Sequence, residues 1–360
     1  MSLSRFQGSL VGAVVGDCIG GVFESIWGPV ALRPILRQVE DLEQNYKHMK
    51  DGKKKHVLWY TDDTAMARRV AASLISRTDL DLKDLAKQFS DEYYAEPDRG
   101  YGGNVVKVFS ALANPNLTDV LQPAREQFDG SGSYGNGGCM RIAPAALFAF
   151  SDKFEKLQDI SEKITEITHS HPQAIQGAVL QSSAVDLALR LDNTHDVDTD
   201  IFIDTLAQRI KPLEENHKPE TKSTSPTAKK QKKLDTYCSK LQQIRSFLPR
   251  SDVTPSEVEE TLGNDISALG SAPTAVYAFL KALKPIKGIE DRSGFERTII
   301  YAIHMGGDTD TIATMAGAIA GAFYGLEAIP ASWQVSCEGV DDAKKHAEQL
   351  LALQTQTTSL

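Results

Sequence analysis

Thr61-Asp62-Asp63-Thr64 and Gly306-Gly307-Asp308-Thr309-Asp310-Thr311 set paired carboxylates beside hydroxyls at two widely separated places in the chain. Each opens onto a small-residue or apolar run that reads as a helix. If a fold brings them together, four like charges at two helix starts repel one another. A hard divalent cation relieves that repulsion, because Mg²⁺, Mn²⁺ and Ca²⁺ take oxygen ligands from Asp, Glu, Thr and water. Capping is the competing reading: Thr and Asp are preferred N-caps and suit the helix dipole, with Thr309 or Asp310 as the cap of the second helix. A helix start needs one cap and at most one extra acid. The surplus in both motifs therefore favours a binuclear metal centre. An EF-hand loop beginning at Asp308 fails, because Ile312 and Ile319 stand where its fifth and twelfth ligands belong. The Asp308-Thr309-Asp310 triplet also resembles the metal motif of nucleotide-sugar glycosyltransferases, but those folds are α/β and strand signals here are scarce.

Gly130-Ser131-Gly132-Ser133-Tyr134-Gly135 satisfies G-x-G-x-x-G and is followed by Asn136-Gly137-Gly138. A dinucleotide-binding fingerprint needs a strand before the glycines, and Pro123 to Phe128 reads as a short helix or turn. What survives is a glycine-rich loop leading into a helix from Met140 to Phe150, with free N–H groups for an anion such as a diphosphate. Glu24 is an isolated acid after a glycine-containing helix, ordinarily solvent-facing; Asp17 reads as a helix-end or loop-tethering group. Asp98-Arg99-Gly100-Tyr101-Gly102 is a turn by composition. His169 and His171 are metal-ligand candidates whose default reading is structural.

The elements that must position these residues are helical. Ser4-Arg5-Phe6-Gln7 is a capping-box pattern, followed by Phe6, Leu10 and Val14 at helical spacing. Further stripes are Met66/Val70/Leu74, Leu82/Leu85/Ala86/Phe89, Ile160/Ile164/Ile167, Val179/Ala184/Leu187, Val276/Phe279/Leu280 and Ile299/Ile300/Ile303. Val57-Leu58-Trp59-Tyr60 is the one short β-like run. The spacing predicts an all-α fold. The Ala- and Gly-rich stretch Ile312 to Leu326 is too short to span a bilayer, which takes about 20 residues, and predicts a buried, closely packed helix. Residues 211–235, with three prolines and Lys229-Lys230-Gln231-Lys232-Lys233, predict a mobile surface loop, part of it helical. Its lysines read as solvated charge ahead of a nuclear-import or nucleic-acid patch.

Composition narrows the partners. With 41% hydrophobic and 24% charged residues, the 360-residue chain is an ordinary globular sequence able to build a large core. Its net charge of −9 argues against a general nucleic-acid or anionic-membrane binder. Cys18, Cys139, Cys238 and Cys337 show no C-x-x-C spacing, which points to reduced thiols in an intracellular protein. No signal-peptide pattern is visible. Nothing like a coiled-coil seam appears, and a monomer is expected.

The paired acidic motifs, each heading a helix in an all-α chain, resemble those of the ADP-ribosylglycohydrolase family. Tyr60 to Ala67, Gly132 to Gly138 and Gly306 to Ala322 are similar to its serine-specific branch, and the likeness runs from about Leu3 to Gly339. The resemblance implies one many-helix domain over residues 1–360 with two Mg²⁺ in a cleft. It implies Thr61, Asp62, Asp63 and Asp310 on one ion, and Asp308, Asp310 and Thr311 on the other, with Glu24 nearby on a movable loop and Asp310 bridging. The terminal ribose of ADP-ribose would sit on the metals. Gly132, Ser133, Tyr134, Gly135 and Asn136 would grip the diphosphate, Phe128, Tyr134 and Ile266 would surround ribose and adenine, and His169 would line the pocket. The implied activity is hydrolysis of the serine–ribose C1″ bond in ADP-ribosylated proteins or peptides, with poly(ADP-ribose) and O-acetyl-ADP-ribose as further substrates. Glu24 is the expected proton carrier, with Asp62 or Asp63 as rivals. The implied locations are nucleus and cytoplasm, with the mitochondrial matrix also open. The alternatives are an arginine-ADP-ribose glycohydrolase and a non-catalytic ADP-ribose-binding or structural relative; the latter would lack motif residues, and none is missing.

Overall fold

The computed structural model describes residues 2–24, 26, 28–48, 58–216 and 235–357. The chain runs through α1 (Leu3–Gly20), α2 (Leu32–His48), α3 (Asp62–Arg77), α4 (Leu82–Ala95), α5 (Gly103–Leu112) and the short α6 (Gln122–Arg125). Then come α7 (Gly137–Met140), α8 (Ala143–Phe148), α9 (Phe154–Glu166), α10 (Pro172–Arg190) and α11 (Thr199–Asn216). The last third holds α12 (Tyr237–Phe247), α13 (Pro255–Thr261), α14 (Ala268–Ala282), α15 (Gly294–His304), α16 (Thr309–Tyr324), α17 (Ala331–Ser336) and α18 (Val340–Thr357). Among the described residues the only β pairing is two isolated bridges, Leu58 with Cys337 and Gly135 with Ser267. The all-α expectation holds, and Leu58 is all that the short β-like run contributes, Val57 lying outside the described residues. Of the expected loop 211–235, residues 211–216 finish α11 and 217–234 lie outside the described residues.

The centre of the bundle is the pair α1 and α16. Both are buried around nearly their whole circumference, α16 from Thr309 to Phe323, as a helix apolar on all sides must be. They pack backbone to backbone. A Cβ on Gly12 would stand 2.3 Å from the Gly317 carbonyl oxygen, and one on Gly16 2.1 Å from that of Ala313. Gly8 and Gly20 meet Gly321 and Thr309 in the same way. Each mid-helix glycine costs about 0.5–1 kcal/mol relative to alanine, a cost offset here by close dispersion contact along the whole crossing. The Thr309 hydroxyl donates to the Gly20 carbonyl at 2.9 Å. The C-terminus of α1 is thereby fixed against the N-terminus of α16. No helix among the described residues is long and apolar enough to cross a membrane.

Two local expectations are corrected. α1 begins at Leu3, and the Ser4 hydroxyl forms no capping box; it bonds the Glu327 carboxylate and accepts from Leu326 N at 3.1 Å. A tertiary carboxylate outcompetes the local cap. The single helix expected over Met140 to Phe150 is two short ones, because Pro144 has no N–H to carry the hydrogen-bond ladder forward.

Candidate metal centre and anion loop

The first acidic motif is at once a helix start and a cluster. Thr61 is the N-cap of α3, its hydroxyl accepting from Asp63 N at 3.3 Å. A second cap comes from another helix: Asp17 on α1 accepts from Thr61 N at 3.0 Å, from the Thr61 hydroxyl at 2.9 Å and from Thr64 N at 3.1 Å. The tethering role read for Asp17 is what the structure shows, yet its buried carboxylate also lies in the acid group. The capping reading of the second motif fails. Neither Thr309 nor Asp310 is the cap; Asp308 occupies that position, and its side chain caps nothing. It is turned instead toward the Asn136 amide, which donates to it at 2.6 Å.

Two sets of carboxylate oxygens come within 4.8 Å of one another: Asp17, Asp63 and Asp310, and Glu24, Asp308 and Asp310. Asp310 belongs to both. Asp62 stands beside them at the head of α3, outside either set but close enough for Asp310 and Asp17 to act on its charge. Thr311 donates to Asp63 at 3.2 Å through its hydroxyl and to Asp310 at 2.8 Å through its N–H. Glu24 is exposed on the turn after α1, whereas Asp63, Asp308 and Asp310 are buried.

No Lys, Arg or His among the described residues forms an ion pair with any of these six acids. The cost appears in their protonation. Burial, then the neighbouring carboxylates, pushes Asp62 up to about 8. Burial does the same to Asp17, raised to about 7, and to Asp310, raised to about 8 with Asp308 as its main charged neighbour. Asp63, Asp308 and Glu24 are raised as well, desolvation first in each case. Asp63 Oδ2 is buried without any hydrogen-bond partner. An orphaned carboxylate oxygen in an acid cluster lacking a protein cation fits a divalent ion with oxygen ligands.

These shifts set a pH dependence. The folded chain holds protons that the unfolded chain releases near pH 4, so this contribution to stability is present in mild acid and is lost as pH rises through about 7 to 8. With chelator present, the melting temperature is expected to fall between about pH 5 and about pH 8.5. Added Mg²⁺ should raise it more at the upper end, where protons no longer compete for the oxygens. Equal Mg²⁺ shifts at both pH values in a thermal melt would contradict this.

The start of α3 is also held from outside. The Arg99 carbonyl accepts from Asp62 N at 2.7 Å, while its guanidinium donates to the Tyr60 carbonyl at 3.1 Å and pairs with Glu338 at 2.7 Å. It lies over the Tyr60 ring at 3.9 Å. By composition Arg99 belongs to a turn, and nothing local in the sequence marks these contacts.

The glycine-rich loop wraps the other side. Gly306 and Gly307, at φ +74° and +72°, let the second motif approach it; a Cβ on Gly307 would stand 2.0 Å from the Asn264 carbonyl oxygen, which accepts from Asp308 N at 2.8 Å. Asn264 was not singled out by sequence. Asn136 joins the two halves, donating to both Asp308 and the Ser271 hydroxyl and accepting nothing from the motif in return. Its N–H donates to the Ile266 carbonyl at 2.9 Å, and Ala268 N to the Tyr134 carbonyl at 3.0 Å. Ser133 accepts from Gly135 N, and Gly132 lies against Ser170 and His171. Phe128, Tyr134 and Ile266 keep 49%, 53% and 73% of their surface exposed, an unusual grouping of apolar side chains around one loop. His169 is buried beneath the loop, against Gly135 and Gly137; His171 caps α10 by accepting from Gln173 N at 3.2 Å.

The ADP-ribosylglycohydrolase family model matches residues 2–359. A Danio rerio protein named ADP-ribosylhydrolase ARH3 is 46% identical over 354 residues, spanning 98% of this chain and 91% of that protein. A Homo sapiens protein of the same name is 42% identical over 350 residues, spanning 97% and 93%. A solved structure described as an ADP-ribosylglycohydrolase-related protein complex superposes with a TM-score of 0.63 at 20% identity, over 98% of both chains, and so shares the fold.

Proposed function

This chain belongs to the ADP-ribosylglycohydrolase family, and from that premise we propose that it removes ADP-ribose from serine by hydrolysing the O-glycosidic bond at ribose C1″, with two Mg²⁺ bound. The observation that carries the proposal is the Asn136–Asp308 hydrogen bond. It joins a loop whose Ser133 and Tyr134 N–H groups have no acceptor among the described residues to a cluster of acids without an ion pair, an arrangement suited to a ligand with a diphosphate next to a ribose. The serine assignment rests on the wording of the motifs around Tyr60–Ala67, Gly132–Gly138 and Gly306–Ala322. Poly(ADP-ribose) and O-acetyl-ADP-ribose are further substrates of the same chemistry.

In this reading Thr61, Asp62, Asp63 and Asp310 hold one ion, and Asp308, Asp310 and Thr311 the other, with Glu24 at its edge. When bound, such ions orient the ribose hydroxyls and polarise them or a water. The chain does the rest. Gly132, Ser133, Tyr134, Gly135 and Asn136 line the diphosphate site, which needs no lysine because the Ser133 and Tyr134 N–H groups, without acceptors among the described residues, supply donors. Phe128, Tyr134 and Ile266 offer apolar surface to the adenine and its ribose. Cleavage develops oxocarbenium-like charge and expels a serine alkoxide, a poor leaving group unless a proton reaches it. Glu24 is our candidate for that transfer, a reading supported by its exposure and by a carboxyl raised by partial burial and Asp310. Asp62 and Asp63 are its rivals.

Release of free ADP-ribose from a serine-modified peptide, with an arginine-modified peptide alongside, tests the assignment. Rapid release from serine, abolished by chelator and restored by Mg²⁺, is expected. Release from arginine alone would transfer the chain to the arginine-directed reading.

A further inference from the structure

His169 lies beneath the glycine-rich loop with one ring nitrogen engaged and the other free. Nδ1 is 2.7 Å from the Thr168 hydroxyl, and that hydroxyl oxygen accepts from the Arg141 guanidinium at 2.7 Å. Nε2 has no hydrogen-bond partner among the described residues. It faces the loop: a Cβ on Gly135 would stand 3.2 Å from it, and one on Gly137 2.9 Å. The residue as a whole is only 9% exposed.

Counting hydrogens fixes the direction of this chain of contacts. A guanidinium has donors only, so Thr168 Oγ1 must accept from Arg141. The same oxygen carries one hydrogen, Thr168 is fully buried, and the remaining polar neighbour is His169 Nδ1. Were Nδ1 protonated, two N–H groups would point at one oxygen while the buried hydroxyl hydrogen found no acceptor, an arrangement native interiors avoid. The hydroxyl therefore donates to Nδ1, and the neutral ring carries its hydrogen on Nε2. We propose that Arg141 and Thr168 are positioning residues that hold His169 as the Nε2–H tautomer, a donor aimed into the glycine-rich loop at an acceptor oxygen of ADP-ribose.

The ligand named here rests on the function proposed above; the tautomer does not. Arg141 is suited to the task because it is itself immobile: it is 1% exposed, gives a second hydrogen bond to the Ile164 carbonyl at 3.1 Å and lies over the Phe89 ring at 4.5 Å. Burial, then the charge of Arg141, holds His169 down to about 3, so the ring stays neutral and its tautomer is the property that matters.

Nitrogen NMR of the full chain with labelled histidine reads the tautomer without ligand. His169 is expected as Nε2–H in the wild type and in Thr168→Ser, and as a mixture or as Nδ1–H in Thr168→Val. A wild-type Nδ1–H ring overturns the proposal whether or not ADP-ribose binds. Calorimetry with ADP-ribose is expected to show about 10-fold weaker binding in Thr168→Val and recovery in Thr168→Ser. Unchanged affinity alongside a changed tautomer overturns the donor role. If the wild type shows Nε2–H yet binds no ADP-ribose, the ligand reading has failed and the donor role falls with it.

Discussion

Glu24→Gln should bind ADP-ribose within a few-fold of the wild type and lose about 10²- to 10⁴-fold in turnover of serine-ADP-ribosylated peptide. The amide keeps the shape and hydrogen-bonding reach of the carboxyl but neither gives nor takes a proton at working pH. Glu24 comes from the turn following α1, and its oxygen reaches within 4.8 Å of those of Asp308 and Asp310 while the side chain stays open to solvent. Asp63 and Asp308, by contrast, are buried and already accept hydrogen bonds from Thr311 and Asn136. Single-turnover release of ADP-ribose, with calorimetry for affinity, separates the two effects. Wild-type turnover in the variant would remove Glu24 from proton transfer and return that work to Asp62 or Asp63.

The second large effect is at Asp310. It is the one carboxylate shared by both acid groups, so Asp310→Ala should weaken both ions together. The loss should exceed the roughly 10–100-fold that removing an outer-shell partner costs. Calorimetric titration with Mn²⁺ or anomalous scattering would count the ions; retention of one at wild-type affinity would show that Asp310 does not bridge. Stability should move the opposite way. Without metal, Asp310 is a buried acid raised to about 8 among other acids, so the metal-free variant should melt no lower than the metal-free wild type near pH 8. With Mg²⁺ present the wild type should gain and the variant should not.

Much of the site was legible before any fold was known. Helical stripes such as Phe6/Leu10/Val14 and Ile299/Ile300/Ile303 lie inside helices with their apolar residues buried. The surplus of acids at two helix starts announced a charge problem, and the buried, unpaired cluster is that problem in three dimensions. Some of what was missed also had a signal. Gly8, Gly12, Gly16 and Gly20 recur every fourth residue in α1, the spacing of a helix face without side chains, and that face is what lets α16 approach. Other residues had none: the Arg99 and Asn264 carbonyls that hold the two motifs are groups any residue type carries, and the partners of their side chains, Glu338 and Met305 among them, lie far away in the chain.

The sequence by itself determined the helices, the acidic and glycine-rich motifs and their chemical character. Periodicity, capping preference and charge surplus act within a turn or two of the chain and leave their mark in local order. Only the tertiary structure decided which groups share a site and which job each takes. Ser4 gave up its expected cap for Glu327, Asp308 turned from its helix toward Asn136, and Asp17 capped a helix that begins more than forty residues away. Each outcome is a competition between a local partner and a distant one. The winner is set by how the helices pack, because those contacts decide which distant polar group is brought within reach of each side chain.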